Sequence, residues 1–144
     1  MFAILGASGH TGSVVARSLA AAGKKVRVLA RDASKVASLG AEVVVGQAEN
    51  AADLDKLFAG VEGAYVLFPP DAVATDFAAR NRKLADLYAA ALTKAKVPHV
   101  VMLSSVGAQL PEDAGPISTL HYGEQLQLEL HLPQRHSESE SLAI

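Results

Sequence analysis

Phe2-Ala3-Ile4-Leu5, then Gly6-Ala7-Ser8-Gly9-His10-Thr11-Gly12, then residues 13–22 (SVVARSLAAA): this opening stretch decides the fold. A short apolar run reads as a buried strand. The glycines read as a tight turn, and residues 13–22 as a helix that starts where they end. Strand, glycine turn and helix in that order make the first half of a βαβ unit. Each glycine has its own reason. A Cβ at Gly6 would obstruct the turn, one at Gly9 would hold phosphates away from the backbone, and one at Gly12 would keep the helix off the sheet. Phosphates belong at such a helix start because its unbonded amides and its macrodipole both favour negative charge. Ser8, His10 and Thr11 add side-chain donors. The triplet follows a strand and opens a helix, which is the context of a dinucleotide-binding fingerprint.

Outward from this stretch, strand-like and helical segments alternate. Residues 25–30 (KVRVLA), 42–45 (EVVV), 64–68 (AYVLF) and 99–103 (HVVML) read as strands two to five, the fourth stopped by Pro69-Pro70. Residues 33–39 and 53–58 read as short helices, the second with Asn50 as its candidate cap. Residues 76–94 read as the longest helix, with Phe77, Leu84, Tyr88 and Leu92 on one stripe and the charges Arg80, Arg82, Lys83 and Asp86 mostly off it. The strands are continuous Val, Leu and Ile runs rather than in/out alternations, so they are covered on both faces and hence parallel. With right-handed crossovers the expected fold is α/β, a doubly wound parallel sheet of Rossmann type in the order 3-2-1-4-5. Residues 117–130 read as one more helix. The sheet is read as incomplete at its C-terminal side, with residues 1–133 as the domain and 134–144 as a disordered tail.

Composition narrows the classes. A chain of 144 residues, 50% hydrophobic and 19% charged, is one globular domain and not a disordered one. Lys+Arg 13 against Asp+Glu 15 leaves a net charge of −2, so no direct nucleic-acid partner is expected. Without cysteine there is no disulfide, thiolate metal site or Cys nucleophile. No apolar run nears the roughly 20 residues of a membrane span, and no basic leader opens the chain, so a cytoplasmic location is expected. The five histidines lack metal-ligand spacing with carboxylates, and no metal is expected. Gly12-Ser13-Val14 lacks the Lys of a P-loop, and no GxSxG is present.

The second strand ends at Arg31-Asp32, with Lys35 one turn on. An acid there would accept from the adenosine ribose and favour NAD, whereas an Arg pairs with a 2′-phosphate. Two cations beside one acid favour NADP(H), with NAD(H) as the second candidate.

GASGHTG, the strand ending VLARD, the LFPP after strand four and the VVMLSSVGAQ around strand five together resemble the NmrA-like branch of the atypical short-chain dehydrogenases/reductases, from residue 2 to about residue 125. The resemblance implies a Rossmann fold, NADP(H) binding, and either reduction of quinone-like or carbonyl compounds or a redox-sensing role without chemistry. It implies that Gly6, Ser8, Gly9, His10, Thr11 and Gly12 hold the pyrophosphate, that Arg31 and Lys35 meet the 2′-phosphate, that Phe68, Pro69 and Pro70 line the adenosine and ribose side, and that Ser104 and Ser105 lie near the nicotinamide. Relatives often carry Gly-Asp after strand three; here Gly46-Gln47 stands, and Gln47 can still bond an adenine edge. Relatives are also about twice as long, and a truncated, inactive paralogue is one alternative. Short-chain reductases with a Ser, Tyr and Lys set use the Lys, four residues past the Tyr, to lower the Tyr pKa. Tyr122 stands 17 residues after Ser105, and four residues later is Leu126. Tyr122 and Ser105 are the catalytic candidates on that pattern. A lone Tyr near pKa 10 is a poor proton donor at neutral pH. A homodimer or a protein partner is left open.

Overall fold

The computed structural model describes residues 1–69, 75–104 and 118–129. Strands β1 (Phe2–Ile4), β2 (Val26–Ala30), β3 (Glu42–Val45), β4 (Gly63–Val66) and β5 (Val100–Met102) form one sheet in the order β3-β2-β1-β4-β5. Every pairing is parallel, with Phe2 facing Val26 on one side and Gly63 on the other. The expected order and direction are therefore borne out. Pairing runs slightly past the strand ends, since the Leu5 N–H donates to the Tyr65 carbonyl and the Leu103 N–H to that of Val66, both at 2.9 Å.

Helices α1 (His10–Ala21), α2 (Ala51–Phe58), α3 (Phe77–Lys94) and α4 (Ser118–Glu129) alternate with the strands, and a 3-10 helix (Ala33–Leu39) replaces the short helix expected there. α1 begins at His10, three residues before the expected start, because Gly12 lies inside its first turn and not in the loop. α2 begins directly after Asn50, whose side chain accepts from the Ala52 and Asp53 amides, and Asp76 caps α3 by accepting from Ala79. The expected tail, residues 134–144, lies outside the described residues.

The core divides at the sheet. Ala3 of β1 and Leu5 just after it join Leu54, Leu57, Phe58, Leu84, Tyr88 and Leu92 on the α2–α3 side, while Ile4 joins Ala16, Val28, Val36 and Leu39 on the α1 side. Leu84, Tyr88 and Leu92 of the stripe read on α3 are buried, joined by Asn81, Ala85 and Ala91, while Phe77 at its start is half-buried. On the α1 side, Tyr65, Val101 and Leu103 of the β4–β5 half face a trough of about 610 Å³, bounded by Val14, Val15 and Leu19 of α1. Burial pushes the Tyr65 hydroxyl pKa up, and that hydroxyl has no hydrogen-bond partner among the described residues.

Arg27, the second residue of β2, ties sheet to helix. Its Nε donates to Glu42 Oε1 at 2.7 Å, and its Nη1 reaches the carbonyls of Lys56, Leu57 and Ala59 at 3.3, 3.2 and 2.7 Å. A cation at the last carbonyls of α2 satisfies acceptors that the helix cannot, and it opposes the negative end of the dipole. Replacement by Leu keeps the apolar stem and removes these bonds. Arg27→Leu is expected to lower the unfolding free energy by about 2 kcal/mol, read as a shifted urea midpoint at unchanged slope.

Candidate functional site

The loop between β1 and α1 is built by three glycines with three different surroundings. Gly6 has φ +74°, the left-handed region that only glycine enters without strain, and a Cβ there would stand 2.7 Å from the Leu67 side chain. The Gly9 N–H then closes the turn on the Gly6 carbonyl at 2.9 Å. Gly12 sits one helical turn further on, where a Cβ would lie 2.3 Å from the Gly6 oxygen and 2.5 Å from its carbon. The first turn of α1 therefore rests directly on the loop backbone. Gly9 differs from both. Its backbone is extended (φ −91°, ψ 177°), and a Cβ would meet only the Gly6 oxygen at 3.3 Å. Gly6 and Gly12 shape the loop, and Gly9 leaves its outer side open.

Gly9 caps α1 without a side-chain bond, and the first turn carries no acid. No side chain caps its first-turn amides, in contrast to the Asn50 and Asp76 caps of α2 and α3. Ser8, His10 and Thr11 are exposed around this helix start. Ser13 Oγ donates back to the His10 carbonyl at 2.8 Å and so turns away from the loop.

At the end of β2, Asp32 accepts from the Ser34 hydroxyl at 2.7 Å and from the Ser34 amide at 2.9 Å, which caps the 3-10 helix. The hydroxyl bond, followed by the amide bond, holds its carboxyl below the usual range. The acid of the Arg31-Asp32 pair is thus committed locally, while Arg31 and Lys35 stand exposed beside it.

Two loops flank this region. The Gln47 amide donates to Asp53 Oδ2 at 3.0 Å, and a Cβ on Gly46 would meet that same carboxylate at 2.4 Å, so Gly46 is needed for the approach. The Gln47 side chain is exposed. Arg80, read from the sequence among the charges off the α3 stripe, donates to the Pro69 carbonyl at 3.0 Å and to Glu49 Oε1 at 2.6 Å. It joins the end of β4 to the loop after β3. Phe68 turns its ring inward, stacked on Tyr88 (centroids 5.6 Å apart, planes at 16°) and pressed by Gly123 of α4. The ring that the resemblance placed beside adenosine is held by α3 and α4. Pro70 lies outside the described residues.

At the end of β5, Ser104 Oγ donates to Glu124 Oε1 of α4 at 2.5 Å. Tyr122 goes elsewhere: its hydroxyl donates to Asp86 Oδ1 on α3 at 2.8 Å, and the Arg82 guanidinium lies 5.9 Å over its ring. Glu124 of α4 is thus the residue seen to bond Ser104. Leu126 lines a small apolar cavity with Phe68 and Met102. Ser105 lies outside the described residues. Among the described residues no three His, Asp or Glu side chains converge as a metal site, and no helix is long and apolar enough to cross a membrane.

Residues 6–140 match the family model described as NAD(P)H-binding. In fold the chain is similar to the Citrobacter sp. triphenylmethane reductase in complex with NADP(H), with a TM-score of 0.78 and 22% identity over 92% of this chain and 47% of that one. It is similar to the NADPH-dependent quinone oxidoreductase of Escherichia coli in complex with NADPH, at 0.76 and 20% over 92% and 46%. It is also similar to a short-chain dehydrogenase/reductase superfamily protein from Agrobacterium tumefaciens with bound NAD, at 0.64 and 24% over 88% and 44%. The chain spans a little under half the length of these structures. The family match bears out NAD(P)H as the cofactor, and the structural likenesses bear out the fold.

The glycine surroundings separate two kinds of substitution. Gly12→Val, which forces a side chain onto the Gly6 carbonyl, is expected to cost about 3 kcal/mol or more. Gly9→Ala is expected to cost about 1 kcal/mol or less. Thermal melting of the two variants without nucleotide checks the contrast.

Proposed function

The chain belongs to the NAD(P)H-binding family, and we propose that it is an NADPH-dependent reductase of the NmrA-like branch, acting on a quinone-like or carbonyl acceptor. The observation that carries this reading is the uncapped start of α1 over a glycine loop, with Arg31 and Lys35 exposed at the end of the neighbouring strand. In the proposal the amides of the first turn of α1, with Ser8, His10 and Thr11, bind the pyrophosphate, and Gly9 lets it approach. Arg31 and Lys35 bind the 2′-phosphate, and Asp32 does not compete for a ribose because Ser34 occupies it. Gln47 and the Pro69 carbonyl loop held by Arg80 border the adenosine, and Ser104 stands at the reacting end.

The dinucleotide, when bound, supplies the hydride. The residues position it and the acceptor, which is the main demand of hydride transfer to a quinone. Neighbours whose names read triphenylmethane reductase and quinone oxidoreductase support a small-molecule acceptor. A second reading, a nucleotide-sensing regulator without chemistry, is favoured by Tyr122, whose hydroxyl is bound to Asp86, and by Leu126 where a Lys would be needed.

Purified protein mixed with NADPH and a quinone is expected to consume NADPH, followed by absorbance at 340 nm. No consumption above a heat-denatured control, with NADPH still bound, rejects the reductase and leaves the regulator. Arg31→Ala is expected to weaken NADPH about ten-fold or more while changing NADH little, the worth of a charge-assisted bond. Calorimetric titration with both nucleotides checks it, and equal losses would remove Arg31 from the 2′-phosphate.

A further inference from the structure

We infer that Glu124 fixes Ser104 as a hydrogen-bond acceptor at the carboxyl end of β5, so that the pair recognises an N–H or O–H donor presented there. The inference rests on the proposed reading, which places the reacting end of the dinucleotide at Ser104.

A serine hydroxyl has one hydrogen and two lone pairs. An ionised carboxylate can only accept. With Ser104 Oγ 2.5 Å from Glu124 Oε1, the single hydrogen belongs to that bond, and only lone pairs remain for a ligand. The bond is charge-assisted and part-buried, and it joins β5 to α4 across 20 positions, so the hydroxyl is not free to rotate. Strand alternation places Ser104 on the side of Val100 and Met102, the side that α3 and α4 cover. On α4 the residues before Glu124 have other contacts: the Tyr122 hydroxyl meets Asp86, and Gly123 meets the Phe68 ring.

A hydroxyl held this way cannot donate to a carbonyl oxygen. It complements a donor. Two donors belong at that end of a bound pair: the amide N–H of the nicotinamide carboxamide, and the hydroxyl of a reduced acceptor. They share one chemistry and are separated by experiment. Glu124 does not itself touch the ligand in this scheme. It is a positioning residue acting through Ser104.

The test uses the full chain, with Glu124→Ala, Ser104→Ala, the double variant and Glu124→Asp. NADP⁺ and its 3-acetylpyridine analogue, which has a methyl ketone where the carboxamide stands and hence no N–H, are titrated calorimetrically. Inhibition by hydroquinone is measured alongside in the NADPH–quinone assay. Wild type is expected to prefer NADP⁺ over the analogue about five-fold, the worth of one hydrogen bond. Each single variant should remove that preference, the double variant should remove no more than either, and Asp should restore part of it. If the same non-additive pattern appears in the hydroquinone inhibition constant and not in the nucleotide ratio, the donor is the reduced acceptor, and the assignment of Ser104 as acceptor stands. If both quantities are unchanged in Glu124→Ala while its melting temperature falls, Glu124 is only a tie between helix and strand and the inference is overturned. Wild type that binds neither nucleotide would overturn the parent reading and this one with it.

Discussion

Backbone lying on backbone governs the head of this molecule. The carbonyl of Gly6 occupies the space where a Cβ of residue 12 would stand, so α1 can start only if that residue has none. The contact fixes the height of α1 above the end of β1, the central strand of the sheet. It also aims the first-turn amides over the carboxyl edge, where open parallel sheets bind their ligands. Gly6, with its left-handed backbone, makes the turn that brings the chain back under the helix. The placement of α1 is thus a packing problem settled within the first 12 residues.

Around this contact, polar ends of helices are satisfied from within the fold. Asn50 and Asp76 cap α2 and α3, Asp32 caps the 3-10 helix, and Arg27 closes the carbonyl end of α2. Arg80 ties the end of β4 to the loop after β3. The Asp32 and Arg80 bonds tie loops at the carboxyl edge of the sheet, the edge from which the glycine turn leaves β1, while Arg27 acts at the opposite edge. The amides at the start of α1 are left out of this internal capping.

The sheet order, the parallel direction and the tight turn at Gly6 were legible because they follow from local patterns: apolar runs, turn residues and short connections; Gly12 was read as letting the helix approach the sheet, and the atom it spares is the Gly6 carbonyl of the loop. Asn50 was legible for the same reason, since a cap acts within one turn. The start of α1 was placed three residues late because a glycine reads as loop, and only its tertiary contact shows that Gly12 is helical. What stayed hidden depends on distant partners. Arg80 looked like a solvent charge, yet it meets Glu49, 31 positions away. Phe68 was placed beside adenosine by resemblance, and Tyr88, 20 residues on in α3, takes its ring. Tyr122 and Glu124 are two residues apart on one helix. That Glu124 bonds Ser104 and Tyr122 bonds Asp86 is decided by how α4 lies across α3, and no sequence spacing reports that angle.

The sheet register also bears on how the chain reaches its native state. Phe2 pairs with Val26, 24 positions on, and with Gly63, 61 positions on. Strands β1, β2 and β3 are neighbours both along the chain and in space, so that half of the sheet can zip from nearby segments. The other flank of β1 stays a bare edge until residue 63 has left the ribosome, and closing it requires a long loop to find its ends. Up to that moment the innermost strand of the finished molecule is its outermost one, open to pairing with a neighbouring nascent chain.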